Sequence, residues 1–288
     1  MNWAKEFQDA IDCIEEHLTE NVDYNEIAKR ACMSNFYFQR IFTVLCGYTL
    51  GDYIRYRRLT LAGIDLQKNK CKVIDVAFKY GYESPESFAR AFQKFHNITP
   101  SQAKSDGAKL NHFSRLSVNL ILKGGNVMNY SIEEKSAFTV LEKVEKHSIV
   151  DEVNKNTIPE FWTRSHNDGT IKTIIDSLYE SEDVLGICYG NIPTDAKTFD
   201  YGIGGKCRKD IKVPDGYRLN TIPSRTWIIF ECNGAMPNAM QETWHKICSE
   251  FFPTSEYKPT YEMDIEVYPK GNMNSENYKS YIWIPIKK

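Results

Sequence analysis

Nowhere does this sequence of 288 residues contain an apolar run approaching the ~20 residues that a membrane-spanning helix needs. Its first stretch, MNWAKEFQDAIDCIEE, is acidic and amphipathic, unlike a basic, apolar export signal or an Arg-rich transit peptide. The eight Cys (13, 32, 46, 71, 188, 207, 232 and 248) never stand in a C-x-x-C spacing. Scattered singles of this kind read as reduced thiols in the cytoplasm, not as a disulfide frame or a metal site. There is no nucleophile–His–acid signature, and GIGGK (Gly202–Lys206) lacks both the length and the Ser/Thr of a phosphate loop. The expectation is a cytoplasmic protein without metal, cofactor or membrane, long enough for two domains with a core each.

Charge of one sign is scarce only on average. The net charge of −2 hides a first segment, residues 1–26, with eight acids and one Lys. Residues 27–110 then carry 14 Lys and Arg against six Asp and Glu, a local charge of +8. A solvated face is the plainer reading of such a stretch, but this one also holds a duplication. SNFYFQRIF (Ser34–Phe42) returns as SPESFARAF (Ser84–Phe92), with Ser34/Ser84, Phe38/Phe88, Arg40/Arg90 and Phe42/Phe92 in register.

Each copy sits in a helical context. Trp3, Phe7, Ala10, Ile11, Ile14 and Leu18 recur at helical spacing, and NVDYNEIAKRACMS follows with Asn25 or Asp23 as N-cap. The first copy runs from Ser34 to Leu45, and Gly47 suits its stop. Leu50–Gln67 has no Pro and an unbroken apolar stripe, predicting one helix about 27 Å long. KVIDVAFKYGYES echoes the earlier lead-in, Ser84 caps the second copy, and Pro85 takes its first helical position. NITPSQAKS closes the segment. From Asn111 the texture changes to strands: LSVNLIL, AFTVLEKVE, VLGICYG, RTWIIFEC, YEMDIEVYP and KSYIWIPI. Two helical stretches, IPEFWTRSHNDGTIKTIIDSLYE and PNAMQETWHKICSEFF, interrupt them, which predicts an α+β domain of two similar halves.

On a helical wheel, Phe38, Ile41, Phe42 and Leu45 share one side of the first copy, opposite Phe36, Gln39, Arg40 and Thr43. In the second copy Phe88, Ala91, Phe92 and Phe95 lie opposite Glu86, Ala89, Arg90 and Gln93. The aromatic sides are core. The polar sides carry what a helix in the major groove offers to bases, with Arg for guanine and Gln for adenine. Two ordinary amphipathic helices of an all-α domain remain the alternative for either copy alone. A lead-in helix and tight turn before each copy is the helix-turn-helix layout, and successive major grooves on one face lie ~34 Å apart, which a stiff connecting helix suits.

Residues ~5–105, through IAKRACMSNFYFQRIFTVLCGYTLGDYIRYRRL and VAFKYGYESPESFARAFQKFHNITPSQAK, resemble the DNA-binding domain of the AraC/XylS family of bacterial transcription regulators. The resemblance implies seven helices in an all-α double helix-turn-helix domain that spans two adjacent major grooves of double-stranded promoter DNA. RNA polymerase is a further candidate partner. By position, the base-facing residues would be Phe36, Gln39 and Arg40, then Glu86, Ser87 and Arg90, with Thr43 and Gln93 completing the polar sides. Glu86 departs from the uncharged choices usual there; it repels phosphate but can accept from cytosine N4.

The second half is rich in aromatics, and in YEMDIEVYP one acid, Glu266, stands between Ile265 and Val267. Because Asp264, Glu266 and Tyr268 alternate together, the residues alone favour a solvent-facing side. MNYSIEEKSAFTVLEKVE, IPSRTWIIFECNG, MQETWHKICSEFFP, YEMDIEVYP and YIWIPIKK, however, resemble a GyrI-like effector-binding domain. This implies two pseudo-symmetric β-α-β-β units around a cleft, with Glu266 and Tyr268 as the family's acid and its E-x-Y partner and Tyr201 near the cleft. It also implies Trp162 and Trp283 as walls. A carboxylate among rings suits a small aromatic or cationic organic effector, as in multidrug sensing. The boundaries expected are 1–108 for the DNA-binding domain, 109–127 for a linker and first strand, and 128–288 for the effector domain. The function expected is a ligand-sensing transcription regulator and not an enzyme. A hydrolase of reactive small molecules and a protein-sequestering module stay open as alternatives.

Overall fold

The computed structural model describes residues 3–69, 71–118, 127–148, 154–179, 183–190 and 198–287. The chain divides into two compact units, Met1–Ile121 and Leu122–Lys288.

The first unit is helical: α1 (Trp3–Glu16), α2 (Tyr24–Arg30), α3 (Asn35–Cys46), α4 (Leu50–Asn69), α5 (Val73–Lys79), α6 (Pro85–His96) and α7 (Pro100–Ala103). Local chemistry sets most of these bounds. Asp23 caps α2 by accepting the Asn25 N–H, and Ser34 and Ser84 cap the two copies by accepting from Tyr37 and Ser87. Gly47 ends α3 in the left-handed region at φ 75°, a conformation that costs glycine little. α4 is shared between the modules. Its Tyr53 ring meets Phe42 at 5.8 Å in the first, while its Leu59, Ala62 and Leu66 pack with Val76, Ala77, Phe88 and Phe92 in the second. One rigid rod thus serves both cores.

The stretch LSVNLIL does not begin a sheet where it is described. Leu116–Val118 carry no strand, and the chain from Asn111 to Val118 lies back across the helices. The Phe113 N–H donates to the Thr60 hydroxyl (3.0 Å), Leu116 N–H to the Tyr53 hydroxyl (3.1 Å) and Val118 N–H to the Gln8 side chain (2.7 Å). Side chains of α1 and α4 take the backbone donors that a neighbouring strand would have used. The rest of that stretch, Asn119–Leu122, is outside the described residues.

The same strap holds His96. Its Nε2 lies 2.9 Å from the Leu59 carbonyl, and its Nδ1 accepts the Asn111 N–H at 3.1 Å. A ring that donates at one nitrogen and accepts at the other is neutral. Burial holds its pKa below the usual value, with the Leu59 bond acting in the opposite direction. The unfolded chain therefore takes up this proton at higher pH than the folded one. The stabilisation is complete above the usual histidine pKa of ~6.5 and is lost as pH falls below it. Thermal melts from about pH 7 down to pH 5 should show the helical unit's midpoint falling, and less steeply in His96→Gln. Equal slopes in parent and variant would remove His96 as the cause.

Among the described residues the second unit forms a nine-stranded antiparallel sheet with helices. Its elements are β1 (Tyr130–Lys135), β2 (Phe138–Ser148), α8 (Asn154–Asn167), α9 (Thr170–Ser177), β3 (Val184–Tyr189), β4 (Thr198–Lys206), β5 (Arg218–Ile222), β6 (Arg225–Asn233), α10 (Asn238–Lys246), a π turn (Ile247–Phe251), α11 (Phe252–Thr254), β7 (Lys258–Pro259), β8 (Met263–Tyr268) and β9 (Lys279–Lys287). The order is β1-β6-β9-β8-β3-β4-β2-β5, with β7 on β9. From the central β8/β3 pair outward, each side repeats the same sequence of strands. The two β-α-β-β units are therefore β2 to β4 and β6 to β9, related by a pseudo-twofold at that pair. One face of the sheet is lined by Val140, Leu185, Ile187, Trp227, Ile229, Ile265 and Val267. The other carries Ile228, Phe230, Ile282 and Ile284 under Met240 and Ile247. The glycines of GIGGK serve packing within β4. A Cβ on Gly205 would stand 2.1 Å from Leu178 Cδ2, and one on Gly204 2.6 Å from the Leu141 carbonyl.

Candidate functional site

The two repeated helices present different surfaces. On α6, Glu86, Arg90 and Gln93 are exposed, and Ser87 is half-buried with its hydroxyl donating to the Ser84 carbonyl at 2.8 Å. Phe88 and Phe92 are fully buried beneath them. On α3, Phe36 (3% exposed), Gln39 (7%) and Thr43 (8%) are buried, and Arg40 is half-buried. Gln39 donates its amide N–H to Asn35 Oδ1 at 2.7 Å, and Phe36 meets the Tyr37 ring edge-on at 5.4 Å. Of the side of α3 expected to face bases, Phe36, Gln39 and Thr43 are thus not solvent-facing in this structure. A wheel records the polarity of each side of a helix but not what covers it.

In the second unit Glu266 sits on the central strand β8, opposite Gly186 of β3, on the face that carries the helices. The side that Asp264, Glu266 and Tyr268 share is not the solvent side that alternation suggested: Asp264 is 1% exposed and Glu266 is half-buried. Trp244, from α10, donates its indole N–H to Glu266 Oε1 at 3.0 Å. Tyr268 donates to Oε2 at 2.9 Å, and Tyr201 of β4 reaches the same oxygen at 3.4 Å. Trp162, from α8, donates to the Tyr201 hydroxyl at 3.0 Å and turns its ring edge-on to Tyr268 at 5.1 Å. Burial first, then the charge of Glu266, pushes both tyrosine hydroxyls well above the usual phenol range. A cavity of about 230 Å³ opens beside Trp162 and Tyr268, bordered also by His166, Met273 and Tyr278.

Glu266, Tyr268, Tyr201 and Trp162 thus come together, each half of the pseudo-repeat contributing two. Trp283 does not join them. β9 sets Ile282 beside Glu266 and Trp283 beside Ile265, so strand alternation turns Trp283 to the opposite face. There it lies 6.0 Å from Trp227 and 6.4 Å from Phe138. Trp244 was missed. Its helix was legible, but only the fold brings that helix over β8.

Room for the cluster depends on Gly186. A Cβ there would stand 2.3 Å from the Tyr201 hydroxyl and 3.2 Å from Trp162 Cζ2. Gly186→Ala is expected to push Tyr201 off Glu266 and to destabilise the unit by about 1–3 kcal/mol, the usual cost of overpacking. Thermal melts check it; an unchanged midpoint would mean that Tyr201 moves freely.

A second carboxylate, Glu142 of β2, is completely buried on the other face. Arg218 donates to it at 2.9 Å and Tyr189 at 2.7 Å, with Asn220 donating to the Tyr189 hydroxyl. A guanidinium thus meets the charge of Glu142. Among the described residues no group of three His, Cys, Asp or Glu is placed to hold a metal ion, and no helix is long and apolar enough to cross a membrane.

Residues 131–286 match the family described as integron-associated effector binding protein. Residues 27–106 match a helix-turn-helix domain family. Regulatory protein SoxS of Escherichia coli K12 is 39% identical over 101 residues, which cover 35% of this chain and 94% of SoxS. The HTH-type transcriptional activator AarP of Providencia stuartii is 39% identical over 88 residues, 31% of this chain and 65% of AarP. Among solved structures, a protein of Staphylococcus aureus MU50 aligns with a TM-score of 0.49 at 21% identity, over 56% of this chain and 100% of that one.

Proposed function

Because the chain belongs to the integron-associated effector-binding family and joins that domain to an AraC-type helix-turn-helix domain, we propose that it is a regulator whose response to DNA is tied to an aromatic organic cation bound at Glu266. That it is an AraC-family DNA-binding transcription regulator with an effector-binding domain stands on the family matches. The nature of the effector is our reading. It rests on one observation above all: a half-buried carboxylate held by an indole N–H and phenol hydroxyls, with the rings of Trp162, Tyr201 and Tyr268 gathered beside it. Such a site attracts a cation by charge and by ring quadrupoles together. The ~300–1,000 Å³ of a drug-sized pocket exceeds the present cavity, so a large ligand has to displace Trp162 or its neighbours.

Fusion of the effector-binding domain to a helix-turn-helix domain favours sensing over the hydrolase alternative. In this reading the protein works on promoter DNA in a bacterial cytoplasm, with RNA polymerase as a further partner.

For DNA, we assign base reading to Arg90, Gln93 and Glu86 of α6 and to Arg40 of α3. On a site selected from random duplexes, Arg90→Ala should cost roughly 1–3 kcal/mol and relax preference at one base pair. Arg40→Ala should do the same at a different base pair. Equal losses on unrelated duplex would make these arginines phosphate contacts and sink the assignment. For the effector, calorimetry of the full chain against a panel of aromatic quaternary ammonium and phosphonium ions tests the reading. Binding of neutral analogues as tight as that of the cations would reject it.

A further inference from the structure

The face of the sheet away from the helices holds a groove of about 810 Å³ in which, among the described residues, Lys135, Lys206, Arg208 and Lys209 accompany one acid, Asp183. Three of these cations are laid on aromatic rings. Lys135 Nζ is 4.4 Å from the centre of the Trp283 ring, Arg208 Cζ 4.5 Å from Tyr179, and Lys206 Nζ 5.9 Å from Phe138. Lys135 is also paired with Glu133 at 2.6 Å, while Arg208 and Lys209 are exposed.

The fold builds this corner from elements distant in sequence. β4 runs beside the start of β2 with Lys206 opposite Val140, so alternation puts Lys206 on the same face as Phe138. The chain then continues with the Cys207 N–H bonded to the Thr139 carbonyl at 2.9 Å, which carries Arg208 and Lys209 past the end of the strand. Tyr179 is fixed there by its N–H, 2.8 Å from the Lys206 carbonyl. Trp283 arrives from β9, turned to this face because Ile282 takes the other.

Arg208 and Lys209, exposed and adjacent in the chain, carry like charges that repel, and the Tyr179 ring compensates Arg208 only weakly. An anion relieves the repulsion, and a guanidinium offers a carboxylate two parallel donors. The rings of Phe138, Trp283 and Tyr179 add flat apolar area beside those charges, and the volume lies within the range of clefts that enclose drug-sized ligands. We infer that this groove is a second small-molecule site, selective for a flat aromatic carboxylate whose ring rests on Trp283 and Phe138 and whose anionic group is held by Arg208 and Lys209. It lies on the opposite side of the sheet from Glu266 and takes ligands of the opposite charge. The inference does not depend on the cation site.

The test is calorimetry of the full chain with 2-naphthoate and with its neutral isostere 2-naphthamide. Naphthoate should bind at least about tenfold more tightly than the amide, the preference expected when charge-assisted bonds hold the carboxylate. The exposed double substitution Arg208→Gln/Lys209→Gln should erase about tenfold of the naphthoate affinity and leave the amide unmoved. Glu266→Gln should leave naphthoate binding unchanged. Equal affinity for acid and amide, no heat with naphthoate at millimolar concentration, or an unaffected double variant would each overturn the inference. So would a double variant that keeps naphthoate but loses duplex DNA, since the groove would then be a nucleic-acid contact.

Discussion

Glu266→Gln is expected to weaken binding of an aromatic cation by roughly 2–5 kcal/mol, from about thirtyfold to several thousandfold, while leaving the fold in place. The charge of the carboxylate is already surrounded by donors that need no rearrangement: Trp244 at 3.0 Å, Tyr268 at 2.9 Å and Tyr201 at 3.4 Å. A cation that enters meets the carboxylate in a partly desolvated site, where Coulomb attraction is stronger than in water. The amide keeps the shape and removes the charge. Its oxygen can retain the Trp244 bond, and its NH2 can donate to the tyrosine hydroxyls, which accept as well as donate. Stability should therefore stay near that of the parent. Calorimetry with a cation found in the panel screen, with melts as control, measures both quantities. Unchanged affinity in a folded variant would remove Glu266 from the effector site; it would leave the naphthoate groove untouched.

Arg57→Ala should be the most destabilising single change in the helical unit. Arg57 and Glu15 form a two-pronged pair at 2.8 Å for both bonds, with side chains 8% and 9% exposed. The third guanidinium nitrogen donates to the Phe113 carbonyl at 2.7 Å, and the Tyr53 hydroxyl donates to the same carboxylate at 2.7 Å. Arg57 thus joins α1, α4 and the returning strap at a single point. Removing it leaves a buried carboxylate without its cation and a carbonyl without its donor. The expected cost is about 3–5 kcal/mol. At roughly 4–8 °C per kcal/mol for a unit of this size, the midpoint should fall by more than about 12 °C. Replacing both partners, Arg57→Leu with Glu15→Leu, should recover much of the loss because no charge remains to be compensated. A loss below about 1 kcal/mol in Arg57→Ala would mean that water replaces the guanidinium, as at exposed pairs.

Both effects turn on partners far apart in sequence, and here the sequence and the fold divide their work. The double helix-turn-helix was legible from the residues because its determinants are local. Ser34 and Ser84 cap within three residues, Gly47 stops α3 at the next turn, and the 3.6-residue period marks Phe38, Phe42, Phe88 and Phe92 as core. The α+β character and the two halves followed from equally short-range patterns in AFTVLEKVE, RTWIIFEC and YEMDIEVYP. What those patterns left open was which side of a strand or helix meets which neighbour. Alternation separates Glu266 from Ile265 but does not say which of them faces the helices, and it cannot align β9 with β8. Register did that, pairing Ile282 with Glu266 and sending Trp283 to the far face. The same limit applies to the burial of Phe36, Gln39 and Thr43 and to the strap at Leu116–Val118, whose N–H groups found side chains instead of a strand. A local pattern is fixed by backbone geometry within a few residues. A site is made by pairings across tens or hundreds of residues, and only the folded chain selects among them.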